Sequence, residues 1–152
     1  MVRTQKGVDG RLRTAGDAAV DGLLAGAVAG IVMAAYLVVT GLLAGEGPAS
    51  VLVRFDPAKQ GSPLAGAVVH LAVSAVYGLL FGLVYRLVGR GRLRGRTAGA
   101  LMGLVYGLVL LLVAQGLTAV DAGAALREIP TVHFALAHLI YGLVLGWMVA
   151  RN

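Results

Sequence analysis

Four long apolar runs that contain no Asp, Glu, Lys or Arg dominate this sequence, at residues 23–44, 64–85, 97–120 and 131–150. An α-helix rises 1.5 Å per residue, so about 20 residues cross the roughly 30 Å hydrocarbon core of a bilayer. The runs show no alternation of polar and apolar residues and are about twice as long as a barrel strand, which argues against a β-barrel. The sequence therefore predicts an all-α protein, a bundle of four transmembrane helices.

The composition indicates one membrane domain. Hydrophobic residues make up 59% of the 152 residues and charged residues 13%, about half of the charged fraction of a soluble domain. We predict a basic N-terminal segment at residues 1–17 and a membrane domain at residues 18–152, with spans at about 18–44, 64–88, 97–120 and 131–150. The first run is too long for the apolar core of a signal peptide, so it is predicted to remain as an uncleaved span.

The basic residues predict the orientation of the spans. Ten lie in the N-terminal segment, the link between spans two and three and the C-terminus, and three lie in the other two links. The positive-inside rule therefore predicts a multi-pass protein of the bacterial inner membrane with both termini in the cytoplasm. The second link holds five of these ten residues, namely Arg86, Arg90, Arg92, Arg94 and Arg96. Contact of the last four with anionic lipid is compatible with this orientation signal.

Partners other than lipid are constrained by what the chain lacks. No nucleic-acid motif accompanies the net charge of +6, so no nucleic-acid partner is expected. The chain has no cysteine and no H-E-x-x-H motif, and no metal site is predicted. No carboxylate lies in the middle of a span, which argues against proton-coupled transport and against acid–base catalysis by paired carboxylates. The sequence therefore predicts a protein that is not an enzyme.

Glycines at a spacing of four residues recur in every span. This spacing places them on one helix face, and glycine lets two helix backbones approach closely where lipid supplies no hydrophobic drive for association. They are predicted either to pack the bundle internally or to dock another membrane subunit or a second copy of the chain. The residues concerned are Gly26, Gly30, Gly78, Gly82, Gly103, Gly107, Gly142 and Gly146.

The chain also looks internally duplicated. Residues 77–82 (YGLLFG) resemble residues 141–146 (YGLVLG), and Gly26-x-x-x-Gly30 in span one matches Gly103-x-x-x-Gly107 in span three. The pattern predicts two tandem helical hairpins related by an axis along the membrane normal.

Two histidines are the candidates for a cofactor site. His70 in span two and His138 in span four are predicted at matched depth, roughly 10 Å below the outer boundary. Spans two and four are diagonal neighbours if the bundle winds in sequence order, so the two imidazoles could hold a haem b iron axially. The alternative is that each histidine hydrogen-bonds to another helix, so no cofactor is assigned outright.

Further polar residues are predicted to line an amphipathic cavity for a quinone or a lipid. The alternative is that they bridge helices or lie at the membrane interface. These residues are His133, Ser74, Tyr77, Tyr106 and Tyr141.

The order of these features resembles the YagU-like proteins of the bacterial inner membrane. The resemblance covers the four spans but not the basic N-terminus, and this chain lacks the long first outer loop expected of those proteins. It carries over no catalytic residue. The matching residues are a Gly/Ala-rich first span at residues 22–30, His70-x-x-x-Ser74, a glycine face at residues 99–107 and His138-Leu-Ile-Tyr141.

Three functions follow as hypotheses. The first is a non-enzymatic membrane protein, either a small assembly subunit or a homo-oligomer packed through the Gly-x-x-x-Gly faces. The second is an electron-transfer subunit that binds b-type haem or quinone through His70 and His138. The third is a channel or carrier for small solutes.

Overall fold

The computed structural model describes residues 14–58, 60–88, 95–120 and 124–151. These residues form five α-helices and one 3₁₀ turn: α1 (Ala15–Leu43), α2 (Pro48–Val53), α3 (Pro63–Val88), α4 (Arg96–Val120), the 3₁₀ turn (Ala124–Glu128) and α5 (Thr131–Val149). No strand occurs in the described ranges. Helices α1, α3, α4 and α5 are each long and apolar enough to cross a membrane. The predicted all-α bundle of four spans is confirmed.

The ends of the helices follow from local capping. Helix α1 begins three residues before the predicted start, because the Thr14 hydroxyl accepts the backbone N–H of Asp17 while the Asp17 carboxylate accepts that of Thr14. This reciprocal capping box satisfies two of the amide groups that a helix N-terminus leaves unpaired. Residues 1–13 lie outside the described residues, as do Arg90, Arg92 and Arg94, and together these hold seven of the ten basic residues on the predicted cytoplasmic side.

The four long helices form two hairpins. Helix α1 packs along α3, and α4 packs along α5. The hairpins meet mainly through α1 and α5, whereas α3 and α4 touch at few positions and diverge. Helices α3 and α5 are therefore diagonal neighbours, as the sequence order predicts. We call the end of the bundle with α2 and the 3₁₀ turn the loop end, and the opposite end the terminal end.

Glycines set the close approach of α1 to α3. A Cβ atom placed on Gly26 would lie 2.5 Å from the Ser74 carbonyl oxygen and 2.7 Å from the Cα of Gly78, well inside van der Waals contact. Gly22 meets Gly82 and the Gly78 carbonyl in the same way one turn nearer the terminal end. Backbone atoms cannot move aside as a flexible side chain can, so only glycine fits at these positions. The interface therefore gains its stability from dispersion between closely spaced backbones.

The second hairpin repeats this arrangement in the same register. A Cβ on Gly22 would meet a carbonyl oxygen and the next glycine Cα of the partner helix, and a Cβ on Gly103 would meet the equivalent pair in α5. The sequence comparison aligned Gly26 with Gly103 and Gly30 with Gly107. This alignment is wrong by one helical turn, because the structural equivalents in α1 lie four residues earlier. The equivalent positions are Gly22 and Gly103, Gly26 and Gly107, Gly78 and Gly142, Gly82 and Gly146, and Ser74 and His138.

The two halves do not meet symmetrically. This register makes α1 equivalent to α4 and α3 equivalent to α5. The contact of α1 with α5 should therefore recur between α4 and α3. The first contact is extensive and the second is nearly absent. One seam of the bundle is closed and the other is open, and the open seam leads to the candidate site.

Three acidic side chains and one arginine organise the loop end. Arg54 pairs with Glu46 at 2.7 Å and with Glu128 of the 3₁₀ turn at 3.2 Å, which joins the first and third links. The Asp56 carboxylate accepts backbone N–H groups from residues 58, 60 and 62. The bond from Ser62 is the largest of the causes that hold the pKa of Asp56 below its ordinary value. The carboxylate therefore remains charged and holds the link that leads into α3.

Candidate functional site

A cavity of about 440 Å³ lies in the loop-end half of the bundle, between the diverging helices α3 and α4. Helices α1 and α5 form its back wall. Its volume falls within the range of sites that bind small organic molecules. Its lining is Met33, Phe55, His70, Val73, Ser74, Tyr77, Leu110, Val113, Ala114, Leu117, Thr118, Leu126, Phe134, His138 and Tyr141.

The cavity opens sideways through the seam between α3 and α4. Val73 on α3 and Val113 on α4 line the cavity and remain 45% and 43% exposed. Both lie well inside helices that are long enough to cross a bilayer. This part of the seam therefore lies at the level of the hydrocarbon region, so access through it favours molecules that dissolve in lipid.

His70 connects α3 to α1. Its Nε2 lies 3.0 Å from the backbone carbonyl oxygen of Gly30, and its ring lies 4.7 Å from the ring of Phe55, centroid to centroid. Because a carbonyl oxygen can only accept, Nε2 carries the proton and donates. The absence of a side chain at Gly30 leaves this carbonyl accessible. The imidazole thus forms part of the cavity wall with its Nε2 already in use.

His138 is held by its own helix. Its Nδ1 donates to the Phe134 carbonyl oxygen at 2.9 Å, and the two rings pack edge to face at 4.6 Å. The side chain is buried and lines the cavity. In the neutral imidazole, a proton on Nδ1 makes Nε2 the hydrogen-bond acceptor. His138 therefore offers an oriented acceptor to a molecule in the cavity.

Two tyrosines close the cavity on the side of the terminal end. The Tyr141 hydroxyl donates to the Ser74 carbonyl at 2.6 Å, and the Tyr106 hydroxyl donates to the Tyr77 carbonyl at 2.9 Å. The Phe81 ring packs on Tyr106 with centroids 5.2 Å apart. The Tyr141 contact joins α5 to α3, and the Tyr106 contact joins α4 to α3 about one helical turn further along. These two hydrogen bonds thus hold the diverging helices together on the side of the cavity that faces the terminal end.

Three of the five predicted cavity residues line the cavity, namely Ser74, Tyr77 and Tyr141. The prediction for Tyr106 is wrong, because its hydroxyl binds the Tyr77 carbonyl about one turn nearer the terminal end and the residue does not line the cavity. His133 lies at the closed seam, where its Nδ1 shares a hydrogen bond of 3.0 Å with the Tyr36 hydroxyl. His133 therefore joins α5 to α1 and does not line the cavity, because its position in the first turn of α5 points it toward α1.

Sequence reasoning missed the apolar part of the lining. Ala114, Leu117 and Thr118 of α4 lie on one helix face at spacings of three and four residues, which is the signal that could have indicated them. Such a face occurs on every span of this chain. Only the divergence of α3 from α4 distinguishes the face that lines a cavity from the faces that contact lipid.

A metal centre finds no support in the described ranges. Within them, no group of three or more His, Cys, Asp or Glu side chains lies close enough together to hold a metal ion. The cavity itself brings together two imidazoles, one serine and two tyrosines within an apolar wall. The lining contains no Asp, Glu, Lys or Arg, so its polar side chains offer hydrogen bonds to a group in the cavity.

Comparison of the chain with models of known families, with curated proteins and with solved structures gives no match. The fold and the site therefore define the class. The chain is a multi-pass integral membrane protein whose outward-facing side chains contact the lipid bilayer. Large apolar residues on all four long helices are exposed in this way, among them Leu24, Leu80, Leu112 and Leu143.

Proposed function

We propose that this membrane protein is not an enzyme and that it binds a lipid-soluble molecule with a compact hydrogen-bonding head group, such as a quinone, in the cavity between α3 and α4. The observation that carries the proposal is the open seam. The equivalent seam between α1 and α5 is packed, so the two hairpins are able to close on each other. Between α3 and α4 they leave instead a cavity of about 440 Å³.

The lining suits a ring with hydroxyl or carbonyl substituents. Apolar and aromatic side chains provide most of the wall, and all of the polar lining residues except Thr118 of α4 lie on α3 and α5. His138 offers an acceptor to a hydroxyl group, and the Ser74 and Tyr77 hydroxyls can donate to a carbonyl oxygen. An apolar tail attached to such a ring would leave through the open seam into the hydrocarbon.

Binding of a short-chain alkyl benzoquinone tests this proposal. We expect saturable binding of one molecule per chain in detergent micelles, measured by native mass spectrometry. The reduced hydroquinone should bind about tenfold more weakly to His138→Leu, because one hydrogen bond is lost. His133→Leu is the matched control, since His133 lies outside the lining. Uptake that never saturates, or equal affinity in both variants, contradicts the proposal.

A haem-binding electron-transfer subunit is the second candidate, because His70 and His138 line the same cavity. Axial ligation through the Nε2 of His70 would require the loss of its hydrogen bond to the Gly30 carbonyl. An absorption spectrum separates the two candidates. Protein expressed with added haem and purified without a Soret band binds no haem.

The other two hypotheses depend on different parts of the molecule. An assembly subunit or homo-oligomer would use the outer side of α4. This helix is the least buried of the four long helices, since only 22% of its 18-residue apolar window is buried. The glycines Gly26 and Gly103 already face their partner helices within the hairpins. A solute channel would need a path past the hydroxyls of Tyr106 and Tyr141, which close the cavity floor.

We further propose that the protein lies in the bacterial cytoplasmic membrane with both termini inside, which places the cavity in the outer half of the bilayer. The excess of basic residues in the N-terminal segment, the second link and the C-terminal segment of the sequence supports this orientation. Because the chain has no cysteine, single cysteines report accessibility cleanly. A membrane-impermeant maleimide applied to intact spheroplasts should label Glu128→Cys and spare Arg151→Cys. The opposite labelling contradicts the orientation.

A further inference from the structure

Two arginines from different helices share one tryptophan at the terminal end. The Cζ atom of Arg96 lies 5.4 Å from the centroid of the Trp147 ring, and that of Arg151 lies 6.0 Å from it. Both distances are within the range of a cation–π contact. The first turn of α4 packs on the last turn of α5 here, since a Cβ on Gly99 would touch Ala150 and the Gly146 carbonyl.

The start of α4 adds further positive potential. Gly95, with φ of +116°, precedes the helix and has no side chain to cap it. The first turn of α4 contains no acidic residue. The first turn of α4 therefore presents the positive end of the helix dipole. Arg96 lies in this turn, so its guanidinium charge and the positive end of the helix dipole both attract an anion.

Both guanidinium groups lie within 6.0 Å of one ring centroid, so positive charge is concentrated beside the indole and an anion there is attracted by both. Planar guanidinium groups bind phosphate through paired N–H donors, and Arg exceeds Lys in this role. We propose that Arg96, Trp147 and Arg151 form a binding site for a phosphate group. This site is independent of the cavity, which lies in the other half of the bundle.

The position of Trp147 indicates which phosphate is within reach. Its ring is 43% exposed and lies near the last residue of α5, where tryptophan marks the level of lipid head groups. The phosphate of an anionic phospholipid occupies this level, with its acyl chains beside the apolar faces of α4 and α5. A free phosphate ion offers the same chemistry from the aqueous side, and the experiment separates the two sources.

Trp147 is the one tryptophan in the chain, so its fluorescence reports on the site alone. The full-length protein is reconstituted in vesicles that contain brominated phosphatidylglycerol or brominated phosphatidylcholine, since bromine quenches a nearby indole. We expect the anionic lipid to bind about tenfold more tightly than the neutral one in the wild type. In Arg96→Gln/Arg151→Gln this preference should disappear.

A second double variant controls for net charge and for folding. Arg86→Gln/Arg127→Gln removes the same charge from other positions and should keep the lipid preference. Thermal unfolding verifies that each variant is folded, and Arg96→Lys/Arg151→Lys keeps the charge while it removes the forked donors. An intermediate preference in the lysine variant supports recognition by guanidinium groups.

The outcomes are distinct. If millimolar inorganic phosphate reduces the quenching by the anionic lipid, the site exists and accepts a phosphate group from either source. Quenching by the lipid that inorganic phosphate does not reduce supports the site and assigns it to the lipid head group. Equal quenching by both lipids in the wild type, or equal loss of preference in both glutamine variants, overturns the proposal.

Discussion

Gly26→Leu is expected to separate the first hairpin and to destabilise the protein by about 3 kcal/mol or more, the upper range for overpacking of a tight interface. The added side chain would collide with the Ser74 carbonyl and the Cα of Gly78. Both are backbone atoms of a rigid helix, so α1 and α3 must move apart along their length. The dispersion energy of the close backbone contact is then lost at the neighbouring glycines as well. The melting temperature in detergent, followed by size-exclusion chromatography after heating, measures the effect.

Gly116→Leu is the matched control for this prediction. A Cβ on Gly116 would meet nothing within 4 Å, so the leucine extends from α4 into the surrounding lipid or detergent. The replacement of glycine within a helix contributes up to about 1 kcal/mol of helix propensity, so this variant should melt at or slightly above the wild-type temperature. Equal melting of Gly26→Leu and Gly116→Leu would show that the glycine contact does not hold the hairpin together.

Ala114→Phe is expected to abolish binding of the benzoquinone probe, with a loss of affinity of thirtyfold or more, about 2 kcal/mol. Ala114 lies on the cavity side of α4, opposite the α3 wall. A phenyl ring at this position occupies the volume that the probe needs. Because the ring fills an existing void between apolar side chains, the melting temperature should be unchanged or higher. Loss of binding together with retained stability therefore identifies the cavity as the site.

Leu112→Phe serves as the control on the same helix. Leu112 is 70% exposed and does not line the cavity, so a phenyl ring there adds the same chemical group to the lipid-facing side. Affinity for the probe should remain at the wild-type value. If Ala114→Phe binds the probe as tightly as Leu112→Phe does, the probe binds elsewhere and the cavity is not its site.

The helices could be predicted from the sequence to within about one helical turn. The hydrocarbon core of a bilayer requires every span to have a minimum length and an apolar composition, and both are visible in the sequence. The start of α1 was misplaced by three residues, since the capping pair of Thr14 and Asp17 lies outside the apolar run. The register of the duplication was misplaced by one turn. Gly22, Gly26 and Gly30 repeat at the same spacing, so a sequence match alone cannot choose which pair faces the partner helix.

The candidate site could be predicted only in its polar part. His138, Tyr77 and Tyr141 are conspicuous because polar groups are rare within the spans, and the structure brings all three to one cavity. His133 is equally conspicuous but pairs with Tyr36. Which seam between the helices stays open depends on small differences in packing between two similar halves. No periodicity in the sequence reports that difference.

The near twofold relation between the hairpins has a mechanical consequence. Two stiff halves that pivot about a common axis can narrow one flank only by widening the other. Closure of α3 onto α4 would therefore require α1 to move away from α5, and the extensive contact between α1 and α5 opposes that movement. The packed flank thus keeps the opposite flank open, whether or not a molecule occupies the cavity.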